Sequence, residues 1–359
     1  MTLALWTAAT IVAAVVLAVL TGTWRPALWP WRIKASLMTA DRLGFAVRER
    51  QDIERVNQIC AHFAAGFNDM ILSPWGRRWA GRCESLPALY RPFYAEGAAM
   101  GYPLSQLLTP WRGDVESRLV RRDQRYKYLQ YVGIGFWSAM RGHSPAALER
   151  RVGGLDPLYR FLCFDGYGFK LGFFDYGRDS GCLRRLEGFT GYARSVAFQG
   201  VGRSFWFRFL NDPASLIEHV GRLADHELDA AAGVGLAAAF VHTDDLERVF
   251  RFAGQAAPVH WRPHLALGMT FALKARDLAG PDALEEWLGG VGEPRRRAIR
   301  AAVEQCDRIE RQVRYEKKAD GYRAWRQRLT DWLATQIVFP FLSVRGSASR
   351  MDDLELVRT

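Results

Sequence analysis

The stretch GVGRSFWF, Gly200–Phe207, has the spacing of a phosphate-cradling loop, and GVGLAAAF, Gly233–Phe240, repeats it 33 residues later. A nucleotide loop needs a strand feeding its glycines and a helix leaving them. Before Gly233 the chain reads ADHELDAAA, which is rich in helix formers and contains no β-branched residue. The strand is missing, so the glycines answer to something else. Similar segments begin at Gly97, Gly133, Gly166, Gly200, Gly233 and Gly268, with spacings of 36, 33, 34, 33 and 35 residues, and Gly66 adds a degenerate copy 31 residues upstream. A period near 34 with one small-residue helix per copy is the mark of a helical-hairpin repeat of tetratricopeptide type.

Between the glycine segments lie start signals for second helices. Ser144-Pro145, Asp156-Pro157 and Asp212-Pro213 each pair a capping side chain with a first-turn proline, and Thr243 stands where it can cap the helix that follows. Strand signals are weak throughout. The fold predicted is all-α, a solenoid of about six to seven hairpins over 44–290, with helices over 291–342 closing it and a polar tail over 343–359. Glycine inside a helix costs about 1 kcal/mol relative to alanine. The paired glycines are therefore expected where one helix axis must approach the next.

Residues Leu3–Leu20 form an uncharged run of 18, long enough to cross a bilayer as a helix. Arg25, Arg32, Lys34 and Arg42 follow it, and by the positive-inside rule that flank stays in the cytoplasm. This predicts a single signal-anchor helix over 1–23 in the cytoplasmic membrane, N-terminus out, and a linker over 24–43. Trp24, Arg25, Trp29, Trp31 and Arg32 of that linker suit the headgroup level. The stretch Trp332–Leu342 is too short to span and contains Pro340, so it reads as an apolar cap. Five scattered cysteines without a C-x-x-C pair give neither a disulfide framework nor a zinc pattern. The net charge of +11 is carried mainly by arginine, with no nucleic-acid module to use it.

The densest unusual stretch is FLCFDGYGFKLGFFDYGR, Phe161–Arg178. Asp165, Tyr167 and Lys170 sit there among phenylalanines, and polar groups so placed must pair or shift their pKa values. Asp165 and Lys170 are five apart and are expected either to tie neighbouring helices or to act as an acid/base pair. His260 and His264 have a metal-like spacing, but Pro263 between them and the lack of a nearby carboxylate argue against a metal. Arg203, Arg262 and His264 are candidates for anion or aromatic contacts. Phe136, Trp137, Phe169, Phe173, Trp206 and Phe207 suit a groove for an extended apolar chain. No metal, flavin or nucleotide constellation is present, so no cofactor is expected.

Five ordered segments resemble a bacterial domain-of-unknown-function family, number 1702 among such families. They are YAEGAAMGYPLSQLLTPWR, DPLYRFLCFDGYGFKLGFF, GYARSVAFQGVGRSFWF, GVGLAAAF and RPHLALGMTFALKAR. The resemblance runs in register from about Leu43 to Arg276 and more loosely to about Leu333. It implies an enediyne-biosynthesis association, maturation of a long polyene, and two companions: an integral membrane protein similar to the RnfD redox subunit and a protein of the ASPIC/UnbV type. It transfers no catalytic residues, and Lys170 stands where the family more usually has histidine. Two functions follow as expectations. One is a membrane-tethered repeat scaffold that docks partners or a lipophilic polyene. The other is an enzyme or enzyme subunit that modifies the polyene.

Overall fold

The computed structural model describes residues 6–7, 10–14, 17, 30–72, 77–106, 116–317 and 320–335, and among them there is no strand. Fourteen α-helices are described: α1 Arg50–Leu72, α2 Arg77–Ser85, α3 Arg91–Gln106, α4 Lys127–Met140, α5 Pro145–Val152, α6 Leu162–Lys170, α7 Tyr192–Arg208, α8 Pro213–Gly221, α9 Glu227–Val241, α10 Leu246–Arg251, α11 Arg262–Ala279, α12 Pro281–Leu288, α13 Glu293–Glu316 and α14 Gly321–Thr335. The all-α expectation holds. The anchor expected over 1–23 lies largely outside the described residues, as do Trp24, Arg25, Trp29 and the tail over 343–359. No described helix is long and apolar enough to cross a membrane.

Seven helices form one continuous row in the order α1, α3, α4, α6, α7, α9, α11, each packed on the next. Neighbours run in the same direction. Tyr128 and Tyr159 touch edge to face at 5.4 Å near the start of α4 and α6, and Phe136 and Phe169 meet at 6.0 Å near their ends. Parallel neighbours need a return path on the outside, and the short elements α2, α5, the 3₁₀ segment Ser180–Gly188, α8 and α10 supply it. Two of these starts are those the sequence marks, whereas Asp156-Pro157, expected to begin another outer helix, leads through the 3₁₀ turn Tyr159–Phe161 into the row helix α6. Ser144 accepts from the Ala147 N–H at 3.3 Å and Asp212 from the Ser215 N–H at 3.0 Å, each before a first-turn proline. Thr243 is a correction. Its hydroxyl turns back to the Ala239 carbonyl at 2.7 Å, and Asp245 caps α10 by accepting from the Arg248 N–H.

The glycines decide how closely the row nests. A Cβ on Gly166 would overlap the Val132 carbonyl of α4, and one on Gly168 would overlap the Ala197 carbonyl of α7. Gly200 and Gly202 repeat this against Asp165 and Ala230, and Gly233 and Gly235 against Gln199 and Leu265. In each pair the first glycine faces the preceding helix and the second faces the following one. Two residues turn a helix by about 200°, so a G-x-G pair bares nearly opposite sides. The ends of the row need only one. Gly66 on α1 faces the Tyr94 carbonyl of α3, and Gly268 on α11 faces Ala232 of α9. Gly66 is thus the second member of an Ala64-Ala65-Gly66 pair, which restores the period to 33 between positions 64 and 97. At Cα–carbonyl contact, the Cα hydrogens can also donate weakly to those oxygens.

The row curls until its ends meet. Asp52 on α1 takes Arg248 through two bonds of 2.8 and 2.6 Å and the Asn211 amide at 2.7 Å, and Arg55 reaches the Val241 carbonyl that ends α9. Arg276 on α11, buried with no carboxylate paired to it among the described residues, donates to the Leu89 and Phe240 carbonyls and lies 4.0 Å over the Phe240 ring. Burial pulls its pKa down to about 9. One mouth of the curl is covered by α13 and α14: Trp325 bonds the Cys306 carbonyl and meets Phe271 at 4.8 Å, and Tyr322 stacks on Phe161. The other is covered by the strap before α1, where Phe45 packs edge-on against Phe173 and the Ala46 N–H donates to the Arg208 carbonyl.

If the glycines serve contact, alanine should act oppositely at two sites. Gly200→Ala forces backbone apart at Asp165 and is expected to lower the urea-unfolding free energy by about 1–3 kcal/mol. Gly81→Ala, on α2 with open space around it, is expected to raise it by a few tenths to about 1 kcal/mol. Equal effects at both sites would contradict the packing role.

Candidate functional site

Because the inner helices meet through equivalent small-residue positions, glycine pairs in α4, α6, α7 and α9 and Gly97 with Ala99 in α3, they turn the same register toward the axis. Counted from the first glycine, positions −4, −1, +3 and +7 lie along one face. They place Leu129 and Val132 of α4, Leu162 and Asp165 of α6, Leu236 and Phe240 of α9, and Phe271 and Ala275 of α11 around one internal chamber of about 50 Å³, which Tyr322 and Trp325 of α14 close. The same positions place Phe93, Glu96, Phe136, Phe169, Phe173 and Phe207 around a second chamber of about 30 Å³, with Phe63 of α1. An aromatic chain runs through the second: Phe63–Phe136 at 5.1 Å, Phe136–Phe169 at 6.0 Å, Phe169–Phe173 at 5.0 Å and Phe173–Phe207 at 5.6 Å.

Arg203 borders both chambers. It is held by an ion pair to Asp165, stands 4.0 Å from Glu96 and lies 4.9 Å over the Phe169 ring. Gln199 donates to the other Asp165 oxygen at 2.7 Å. All four polar side chains are buried. One guanidinium thus serves two carboxylates, and only Asp165 is bonded to it. Glu96 Oε1 has no hydrogen-bond partner among the described residues. Burial, with the Asp165 charge adding to it against Arg203, pushes the Glu96 carboxyl up to about 7. A buried acid that exchanges its proton near neutral pH, between two apolar chambers, can give or accept a proton at whatever occupies them.

The structure does not bring Asp165, Tyr167 and Lys170 together. Two and five residues on from Asp165, the other two leave the helix about 200° and 140° away from it. Tyr167 donates to the His143 carbonyl at 2.7 Å and accepts from Arg185; Lys170 pairs with Asp175 at 2.6 Å, not with Asp165. Arg203, Phe136, Phe169, Phe173 and Phe207 do gather at the interior. Trp137 turns toward Phe67 and Arg141, and Trp206 toward His242 and Phe252. Arg262 donates to the Gly254 carbonyl. His264 shares the inner register but lies near Asp229 and Arg326, its pKa lowered first by burial and then by Arg326. His260 meets Glu227 at 2.9 Å. Among the described residues no cluster of three or more metal-ligating side chains occurs. Trp31 is exposed, and Arg32 borders an open hollow beside α1.

Glu96 and Gln199 are the site residues that motif reading passes over. Their signal is positional, since Glu96, Asp165 and Gln199 each immediately precede a first glycine.

The model of a family described as protein of unknown function (DUF1702) matches residues 28–333. The chain belongs to that family. The match spans the inner row, both chambers and α13 and most of α14, so the DUF1702 fold includes the closing helices as well as the glycine segments. No curated protein and no solved structure matches the chain.

The raised Glu96 pKa fixes a sign for stability against pH. An acid whose folded pKa exceeds its unfolded value stabilises the fold while neutral, and that contribution is lost as pH rises from the unfolded value near 4.5 through about 7. The loss across this window is about 3 kcal/mol. Glu96→Gln is expected to remove that decline, so that urea midpoints measured from pH 5 to 8 converge at the acid end and separate in favour of the variant at the alkaline end. Parallel curves would show that Glu96 is not the group responsible.

Proposed function

We propose that this DUF1702 protein is a membrane-tethered accessory subunit that holds an extended lipophilic chain, of polyene or polyketide type, inside its curled helical row. The observation that carries it is the pair of apolar chambers lined by one repeated register and divided by a single ion-paired arginine. At about 50 and 30 Å³ the chambers are narrower than such a chain, so loading requires α14 to part from Phe161 and Phe271. The tetratricopeptide-type repeat, the anchor over 1–23 and the cytoplasmic body belong to the same proposal. So does attachment to an integral membrane partner similar to RnfD and to an ASPIC/UnbV-type protein in enediyne-type biosynthesis. Anchoring would keep the mouth close to the bilayer from which a lipophilic chain arrives, raising its local concentration.

A second reading, an enzyme that modifies the polyene, is favoured by Glu96. Its carboxyl titrates at about 7 and presents an unpartnered oxygen beside the aromatic chamber. In that reading Glu96 moves a proton at the bound chain, and Arg203 holds Asp165 as the fixed negative charge beside it.

A photoactivatable diazirine fatty acid, applied to the full chain in phosphatidylcholine nanodiscs and mapped by mass spectrometry, tests the holding function. Adducts are expected on inner-register residues of α4, α6 and α9, reduced about tenfold in Ala272→Phe, which fills the larger chamber. Adducts confined to outward-facing residues, or unchanged in Ala272→Phe, would contradict it. Glu96→Gln that keeps the adducts but stops conversion of a bound polyene would support the second reading over the first.

A further inference from the structure

Outside the interior lies an open groove of about 940 Å³ between the 3₁₀ segment Ser180–Gly188, the end of α7 and α8. Four arginines line it, Arg178, Arg184, Arg208 and Arg222, against two carboxylates, Asp179 and Glu187. Asp179 is already turned toward the Gly181 N–H at 2.8 Å, and Arg222 is engaged by Glu218 outside the groove.

Arg208 sets this groove apart. It is 5 % exposed, yet no carboxylate pairs with it among the described residues. Of the other buried arginines, Arg203 and Arg326 face carboxylates, and Arg276 donates to two backbone carbonyls. Arg208 donates to one carbonyl, that of Phe173, at 3.0 Å and lies 5.1 Å over the Phe45 ring; its Nε–H, like those of the other three, has no acceptor among the described residues. Its guanidinium lies against the bare Cα of Gly177, which leaves the cation room on that face of the groove. A buried unpaired cation is costly, and a fixed planar fork of donors suits phosphate or carboxylate oxygens. Phe209, stacked on His219 at 4.5 Å, and Leu183 and Leu223 add an apolar wall beside it.

We propose that this groove is a binding site for a phosphate monoester, with Arg208 as the counter-charge at its floor, Arg178 and Arg184 at its rim, and the organic part of the ligand against Phe209 and Leu223. The excess of guanidinium over carboxylate matches a dianion better than a monoanion. The same head group could be presented by a soluble phosphoester or by a lipid.

The test is calorimetric titration of phenyl phosphate into the full chain in phosphatidylcholine nanodiscs. Saturable binding is expected, weakened about tenfold or more by the exposed double variant Arg178→Glu/Arg184→Glu, whose fold is checked by circular dichroism, and by Arg208→Met if that variant folds. Repeating the titration in discs containing phosphatidic acid separates the sources. Weakened phenyl phosphate binding there assigns the groove to a lipid head group, and unchanged binding assigns it to a soluble ester. No saturable binding in neutral discs, or binding indifferent to the rim double variant, would overturn the site.

Discussion

The contact between a bare glycine Cα and the carbonyl of the next helix is the constraint on which the remaining structure depends. Each G-x-G pair removes the side chain on two nearly opposite sides of one helix, so a helix can be pressed by two neighbours at once. The contact is reciprocal. Gly168 takes the Ala197 carbonyl while Gly200 takes the Asp165 carbonyl, three residues back from Gly168. Eight interior glycines each cost about 1 kcal/mol of helix propensity. That is offset only if the backbones meet, which is why α1 and α11, with one inner neighbour each, keep one glycine apiece.

Fixing the contact also fixes the interior. Since the glycines set the rotation of the row helices about their axes, the residues at −4, −1, +3 and +7 turn inward, except at the exposed end of α4, where Met140 stands at +7. Mostly these are Leu and Phe, and the result is two small apolar chambers. Where they are Glu96, Asp165, Gln199 and Arg203, the interior acquires a polar divider that hydrophobic burial alone would never place there. Two buried cations show how differently such a charge can be held. Arg276 is spread over backbone carbonyls and an aromatic face, and burial still lowers its pKa. Arg203 is matched by carboxylates, and the strain of that arrangement falls on Glu96.

Much of the architecture is legible in the sequence because it is periodic. The glycine spacing shows the repeat, Ser144-Pro145 and Asp212-Pro213 show where outer helices begin, and the absence of a strand before Gly233 excludes a nucleotide loop. What is not periodic is not legible. Closure of the row rests on Asp52 meeting Arg248 and on Arg276 meeting Leu89, contacts that span nearly 200 residues and follow no repeat. A solenoid with an exposed concave face and a curled row with a filled interior share the same pattern of glycines. The site was half visible for a related reason. Asp165 and Arg203 stand out as charges among aromatics, but their pairing crosses from one repeat to the next, whereas Lys170, nearer in sequence, sits on another side of the helix. Aligning the copies on their first glycine would have placed Glu96 and Gln199 beside Asp165.

The curl is therefore the claim to measure. Spin labels on exposed positions Glu54 of α1 and Arg251 of α10 report the separation of helices five steps apart along the row. Packed at 8–10 Å per step without curling, α1 and α9 would stand about 45 Å apart. The closed arrangement, with Asp52 bonded to Arg248, predicts a single narrow distance distribution by pulsed electron resonance near 20 Å or less, allowing for the label arms. A distribution centred beyond about 40 Å would mean that the row is open. The shared inward register, the chambers and the polar divider would then lose their physical basis.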